Sequence, residues 1–211
     1  MKRAIFLDIE GTLTETISNT SDPLNSEYVN SKNVKILPGV ETALNYYFSQ
    51  EPDQLIVGIS NKGEDGEIDL EAEQESEESE NSTTINVPIQ RPQNNVDIVI
   101  EEMKHTLSLL PQLKAIYFCP NIKGRSCWRV TRTGALKISN NSTNQENYIP
   151  QKHSFRKPGA GMIFIASLDY DIDLDQSWMV SNTPEDANAA HHAQIDLIQA
   201  TEWRGKFLSV T

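Results

Sequence analysis

The chain has 211 residues, of which 37% are hydrophobic and 23% charged, and it carries a net charge of −12. That length suits one domain with a sizeable core, and no stretch approaches the roughly 20 apolar residues of a membrane span. Ten acids (Glu64, Asp65, Glu67, Asp69, Glu71, Glu73, Glu75, Glu77, Glu78 and Glu80) share one segment with no Lys or Arg, and the remaining chain is near −2, without the clustered cations of a broad nucleic-acid binder.

Taken in order, Met1-Lys2-Arg3 runs directly into Ala4–Leu7, an apolar run of strand character that ends on a carboxylate, Asp8. A signal peptide is not expected, since cleavage would remove this strand. Glu10 follows two residues later, and Gly11-Thr12 turns the chain. In open α/β sheets ligands bind at the carboxyl ends of the strands, so Asp8 stands where such folds do chemistry.

Residues 13–35 are polar and predict a loop or short hairpin beside that site. Leu37-Pro38-Gly39-Val40 begins a helix, with Val40, Ala43, Leu44 and Tyr47 at helical spacing and an end near Gln50 to Pro52. The second strand, Leu55–Ser60, ends on Ser60-Asn61-Lys62-Gly63. Taken alone this is an ordinary strand-to-loop turn, although a hydroxyl and an amide there suit a phosphate oxygen. Residues 64–95 are first acidic, then rich in Asn, Pro and Gln; so few apolar groups cannot offset the ordering entropy, and a mobile surface insertion is expected.

Val96–Leu110 predicts an amphipathic helix with Ile98, Val99, Met103, Leu107 and Leu110 on one side, stopped by Pro111. Ala115–Cys119 is the third strand, and residues 120–155 form a long polar excursion holding Cys127 and Trp128. Two cysteines are too few for a disulfide framework, so a reducing cytoplasm is the expected compartment. Arg156-Lys157-Pro158-Gly159 leads into a helix over Ala160–Leu168, which lets Lys157 point back at the sheet edge. A fourth strand, Ser177–Val180, ends on Ser181-Asn182-Thr183-Pro184-Glu185-Asp186 and opens a helix over Ala187–Ala193. A short strand at Ile195–Ile198 and a last edge strand at Lys206–Val210 complete the prediction. Strands alternating with helices imply a three-layer, Rossmann-like α/β sandwich around a parallel sheet with right-handed crossovers.

Asp8-Ile9-Glu10-Gly11-Thr12, Ser60 at a strand end, Arg156-Lys157-Pro158 and the acidic loop 181–186 stand in the order of four motifs. Together they resemble the haloacid-dehalogenase (HAD) superfamily of phosphatases over nearly the whole chain. Ser-Asn-x-Gly, Arg-Lys-Pro-Gly and Pro-Glu-Asp-Ala-x-Ala-Ala are most similar to its capless branch, which includes histidinol-phosphate phosphatases, heptose-bisphosphate phosphatases and polynucleotide 3′-phosphatases. The resemblance implies one HAD-like domain over 1–211 and a small phosphorylated substrate. Asp8 is then the nucleophile that forms an aspartyl-phosphate, Glu10 the acid and base, and Lys157 the neutralising cation. Thr12, Ser60, Asn61 and Arg156 are the expected phosphate-side contacts. Mg²⁺ is the implied cofactor, held by Asp8, the carbonyl of Glu10, Asn182 and Asp186.

Two residues depart from the pattern. Glu10 replaces the usual Asp, as in the similar Asp-x-Glu-Gly-Thr of enolase-phosphatases. Asn182 replaces an Asp that usually touches the metal. The second departure keeps another reading open, a weak or inactive HAD-fold binding or regulatory protein whose acidic loop contacts a partner. A nucleic-acid 3′-phosphatase is disfavoured, because only Lys123, Arg125, Arg129 and Arg132 form a basic group near Lys157. Structural zinc is disfavoured too. Cys119 and Cys127 supply two ligands of the four such a site needs, Asn121 stands where relatives have His, and His153 is distant. His191 and His192 are expected on a helix surface, and Trp128 and Trp178 in packing roles.

Overall fold

The computed structural model describes residues 1–17, 34–51, 53–63, 95–139 and 154–208. Among these residues nine strands and five α-helices run in the order β1 (Ala4–Asp8), β2 (Thr14–Thr16), β3 (Val34–Ile36), α1 (Val40–Gln50), β4 (Leu55–Asn61), α2 (Asn95–Leu109), β5 (Ala115–Cys119), β6 (Ser126–Thr131), β7 (Gly134–Ser139), α3 (Gly161–Tyr170), β8 (Trp178–Ser181), α4 (Pro184–Ala193), β9 (Asp196–Gln199) and α5 (Ala200–Gly205).

Seven strands form the main sheet in the order β7-β6-β5-β4-β1-β8-β9. The chain leaves β1 toward β4 and β5, then returns to the other side of β1 with β8 and β9. This reversal makes β1 the topological switch point, where two neighbouring strand ends splay loops apart and open a crevice. All five residues of β1 are buried. Its side chains alternate between two cores, as a strand's period of two requires. Ala4 and Phe6 pack with residues of α3 and α4, while Ile5 and Leu7 pack with residues of α1, α2 and α5. The result is the expected three-layer α/β sandwich. Gly58 in β4 faces Leu7 in register, and a Cβ there would lie 2.7 Å from Ile9 Cδ1, so glycine permits this close approach.

Three expectations are corrected. The sheet is mixed rather than parallel throughout: β1, β4, β5, β8 and β9 are parallel, whereas β6 and β7 add antiparallel to β5. The polar excursion therefore contains a β-hairpin. Cys127 and Val130 are buried in it and the loop is only Arg132-Thr133, so half-exposed edge strands had the composition of a loop. The edge strand predicted at Lys206–Val210 is also absent from Lys206–Leu208, which fold as a turn after α5; Ser209 and Val210 lie outside the described residues. Ala200, Trp203 and Phe207 share one face at helical spacing and pack in the same core as α1, which holds this segment off the sheet. Finally, α2 buries Val96, Ile100, Met103, Leu107 and Leu110, and Ile98 is only half-buried.

The hairpin expected in 13–35 is present as the two-stranded pair β2–β3, although 18–33 lie outside the described residues. The insertion 64–95 lies outside them too, apart from Asn95, the first residue of α2. No helix among the described residues is long and apolar enough to cross a membrane.

Trp203 is fully buried, with its ring 6.2 Å from that of Tyr47, and anchors α5 on the sheet. Trp203→Ala is expected to lower unfolding free energy by about 3–5 kcal/mol in urea titration.

Candidate active site

Asp8 closes β1 and is almost wholly buried. The Lys157 ammonium donates to Asp8 Oδ1 at 2.7 Å and lies 2.6 Å from Asp186 Oδ1. Lys157 is 5% exposed and Asp186 is fully buried, so the three charges meet away from solvent. Desolvation pushes the Asp8 carboxyl above its ordinary range; the Lys157 charge opposes this and the Asp186 charge adds to it. Desolvation works against the Lys157 ammonium as well, but the two carboxylates outweigh it and raise its proton affinity. The cluster thus centres on one cation shared by carboxyl groups from two separate elements.

Each member is held by its own local structure. Gly11, at φ 75°, makes the turn after β1, and the turn closes through Gly11 N–H to Thr14 O at 2.8 Å and Thr14 N–H to Ile9 O at 3.0 Å. Thr12 Oγ1 donates to Asp8 Oδ2 at 3.3 Å. Arg204 of α5 donates to the carbonyls of Gly11 and Thr12 at 3.0 and 2.7 Å and straps the turn from the other side. Asp186 sits in the first turn of α4, where Thr183 caps the helix. Its Oδ2 accepts from Ser181 Oγ at 2.6 Å and from Thr183 Oγ1.

Asn61 fixes Lys157 by its main chain. Its amide donates to the Lys157 carbonyl and accepts from the Lys157 N–H, both at 3.0 Å. This places Asn61 as a clamp on the Lys157 main chain. Ser60 is buried, with Oγ 3.4 Å from the Asn61 carbonyl. Arg156 donates to the Lys62 carbonyl at 3.1 Å.

Glu10 is half exposed beside the buried Asp8, and its Oε1 lies 2.5 Å from Lys62 Nζ. Lys62 also donates to Glu102 of α2 at 2.8 Å. Desolvation disfavours this ammonium, yet Glu102 and Glu10 together raise its proton affinity. Sequence reasoning missed Lys62 and Arg204 in this role. Lys62 lay beside Ser60-Asn61 in plain view, but its partners come from the turn after β1 and from α2. Nothing near Arg204 in the sequence links it to Gly11.

For a cation, the site presents hard oxygen donors. Asp8 supplies a carboxylate, and the Glu10 main-chain carbonyl takes none of the hydrogen bonds that close the turn. Mg²⁺ suits such a set, because it keeps several waters and needs only one or two carboxylates besides phosphate oxygens. Asp186 is engaged by Lys157, Ser181 and Thr183. Asn182 is exposed, and its Oδ1 accepts from the Thr201 N–H at 3.3 Å. Among the described residues no group of three or more His, Cys, Asp or Glu gathers as a metal cluster.

The remaining candidates take structural places. Cys119 and Cys127 are free and buried, with thiols pushed up chiefly by desolvation. Asn121 closes its loop by accepting from Gly124 N–H at 2.8 Å and donating to Ser126 Oγ at 3.2 Å. His153 lies outside the described residues. His191 and His192 are exposed on α4, as expected. Trp128 and Trp178 are half-buried against the core on the α1–α2 side. In the basic group, Arg129 pairs with Asp169 at 2.9 Å and Arg132 donates to the Leu107 and Leu110 carbonyls at the end of α2. Those two guanidiniums are spent within the fold.

No protein-family model and no curated protein matches the chain. Solved structures do. A protein from Mesorhizobium loti described as a HAD-like phosphatase aligns over 99% of this chain and 85% of its own, at 16% identity and a TM-score of 0.52. The D,D-heptose 1,7-bisphosphate phosphatase of B. bronchiseptica, complexed with magnesium and phosphate, aligns over 92% and 78% at 18% identity and a TM-score of 0.49. A protein from Listeria monocytogenes serotype 4b aligns over 93% and 77% at 16% identity and a TM-score of 0.46. The chain has a HAD-like fold.

Asn61→Ala removes both main-chain bonds to Lys157 and leaves that N–H and C=O unpaired. A loss of about 1–3 kcal/mol in unfolding free energy is expected by chemical denaturation.

Proposed function

We propose that this protein is a Mg²⁺-dependent phosphomonoester hydrolase that works through an aspartyl-phosphate on Asp8. The observation that carries the reading is the buried Asp8 carboxylate at the switch point of the sheet, with the Lys157 ammonium 2.7 Å away. A carboxylate here is oriented, largely stripped of water and paired with a cation that offsets repulsion as a phosphate dianion approaches.

In the first half-reaction an Asp8 oxygen attacks phosphorus while the bond to the leaving oxygen breaks. Glu10 gives that oxygen a proton. In the second, Glu10 takes a proton from water, the water oxygen attacks phosphorus, and the bond to Asp8 breaks to release inorganic phosphate. A positioned acid or base contributes about 10²–10⁴ in rate. Lys157 stays protonated throughout and stabilises charge on Asp8 and the phosphoryl group. Ser60 and main-chain amides of the strand-end loops hold phosphoryl oxygens. Asp8, the Glu10 carbonyl and Asn182 would hold Mg²⁺, which when bound would supply further charge neutralisation. In this reading Asp186 acts on the metal side only indirectly, as the anchor of Lys157.

The substrate class is a small phosphorylated molecule. A nucleic-acid substrate gains no support from Arg129 and Arg132, which are engaged within the fold. A second reading, a phosphate-binding protein of little turnover, is favoured by the uncharged Asn182 and by the commitment of Asp186 to Lys157.

Hydrolysis of p-nitrophenyl phosphate separates the two readings. Wild type is expected to turn over with Mg²⁺ and to stop on chelation with EDTA, and Asp8→Asn to fall to the uncatalysed background. A wild type that binds phosphate without turnover supports the second reading. Asn182→Asp adds a carboxylate to the metal side and is expected to lower the Mg²⁺ concentration for half-maximal rate several-fold.

A further inference from the structure

Lys62 has no place in the mechanism above, yet its ammonium and its main chain are both closely held. Its side chain is 10% exposed, against 50% for Glu10. Its main chain is fixed on both sides: its N–H donates to the Cys119 carbonyl at 2.8 Å, and its carbonyl accepts from Arg156 at 3.1 Å. The ammonium reaches Glu10 Oε1 at 2.5 Å and Glu102 Oε1 at 2.8 Å. On the other side, the turn that carries Glu10 is tied down by its own hydrogen bonds and by Arg204. Of Glu10, only the side-chain torsions remain to be set, and Lys62 sets them.

We propose that Lys62, braced by Glu102 of α2, is a positioning residue that holds the Glu10 carboxylate at the mouth of the Asp8 site, ready for proton transfer. The assignment rests on the phosphatase reading. Two features distinguish it from a direct phosphate contact. Two acids flank the one ammonium, so the group as a whole offers an arriving phosphate dianion no net positive charge. And the ammonium already has two carboxylate partners, so recruiting it to substrate would strand both. The arrangement also gives the extra methylene of Glu10 a use, because an aspartate at the same backbone position would fall one bond short of Lys62. Since Asn61 clamps Lys157 and Lys62 holds Glu10, one strand end orients both the neutralising cation and the acid.

The test is a double-mutant cycle on the full chain, read as kcat/KM for p-nitrophenyl phosphate. Lys62→Met is expected to lose about 10–100-fold in the wild-type background, the scale of a misplaced catalytic group. In a Glu10→Gln background the same change is expected to cost less than about twofold, since the group it positions is gone. Lys62→Arg should restore most of the loss, and phenyl phosphate, whose leaving group needs a proton more, should show a larger Lys62→Met effect. If Lys62→Met does not fold, Glu102→Gln carries the same cycle with a smaller expected loss. Equal losses in both backgrounds, or a Glu10→Gln variant as active as wild type, overturn the Lys62 assignment and leave the phosphatase reading standing. Wild type without turnover, or turnover that survives Asp8→Asn, overturns both.

Discussion

The structure depends on one buried cation. Lys157 places its ammonium between the carboxylates of Asp8 and Asp186, 2.7 and 2.6 Å away, and none of the three has appreciable contact with solvent. Ions taken out of water lose several kcal/mol of hydration each, and only close, well-oriented partners return it. The three elements that carry these groups, β1, the turn before α3 and the first turn of α4, are therefore obliged to converge. Much of the surrounding polar structure keeps them there: Asn61 on the Lys157 main chain, Thr12 on Asp8, Ser181 and Thr183 on Asp186.

This convergence is possible because the sheet changes direction at β1. With β4 on one side and β8 on the other, three parallel strands deliver Asp8, Asn61 and Ser181 to one edge. The two hydrophobic cores make that edge rigid, since β1 has no residue exposed to solvent and packs helices on both faces. Rigidity at the base contrasts with the partly exposed Glu10 above it, a side chain restrained by charge rather than by packing. A buried, pre-oriented Asp8 beside a more open Glu10 suits the proposed reaction, in which one group must attack and the other must meet both leaving group and water.

Much of this was legible in the chain. Apolar runs that end in Asp8, Ser60 or Ser181 became β1, β4 and β8. The Arg156-Lys157-Pro158 stretch put a cation where it could turn back to the sheet, and it does. The failures share a cause. The β6–β7 hairpin lies at a half-exposed sheet margin, where Arg129 and Lys137 fall on opposite faces, Leu136 is exposed and composition imitates a loop. Lys206–Val210 has the pattern of an edge strand, and the helical face formed by Ala200, Trp203 and Phe207 that overrides it is short and has no side-chain cap. Lys62, Arg204 and the clamping role of Asn61 were hidden because each acts on a residue far away in sequence; Arg204 lies 193 residues from Gly11.

By itself the sequence determined the kinds of chemistry on offer. It set carboxylates, hydroxyls and a lysine at the ends of apolar runs, because strand length and hydrophobic periodicity are local properties that a single stretch must satisfy. Only the tertiary structure decided which of those groups meet. The sheet order paired Lys157 with both Asp8 and Asp186, gave Glu10 to Lys62, and turned Asn182 toward Thr201. The physical reason is that a buried charge is stable only beside its partner. That partner is chosen by where strands and helices pack, not by what lies next to it in the chain.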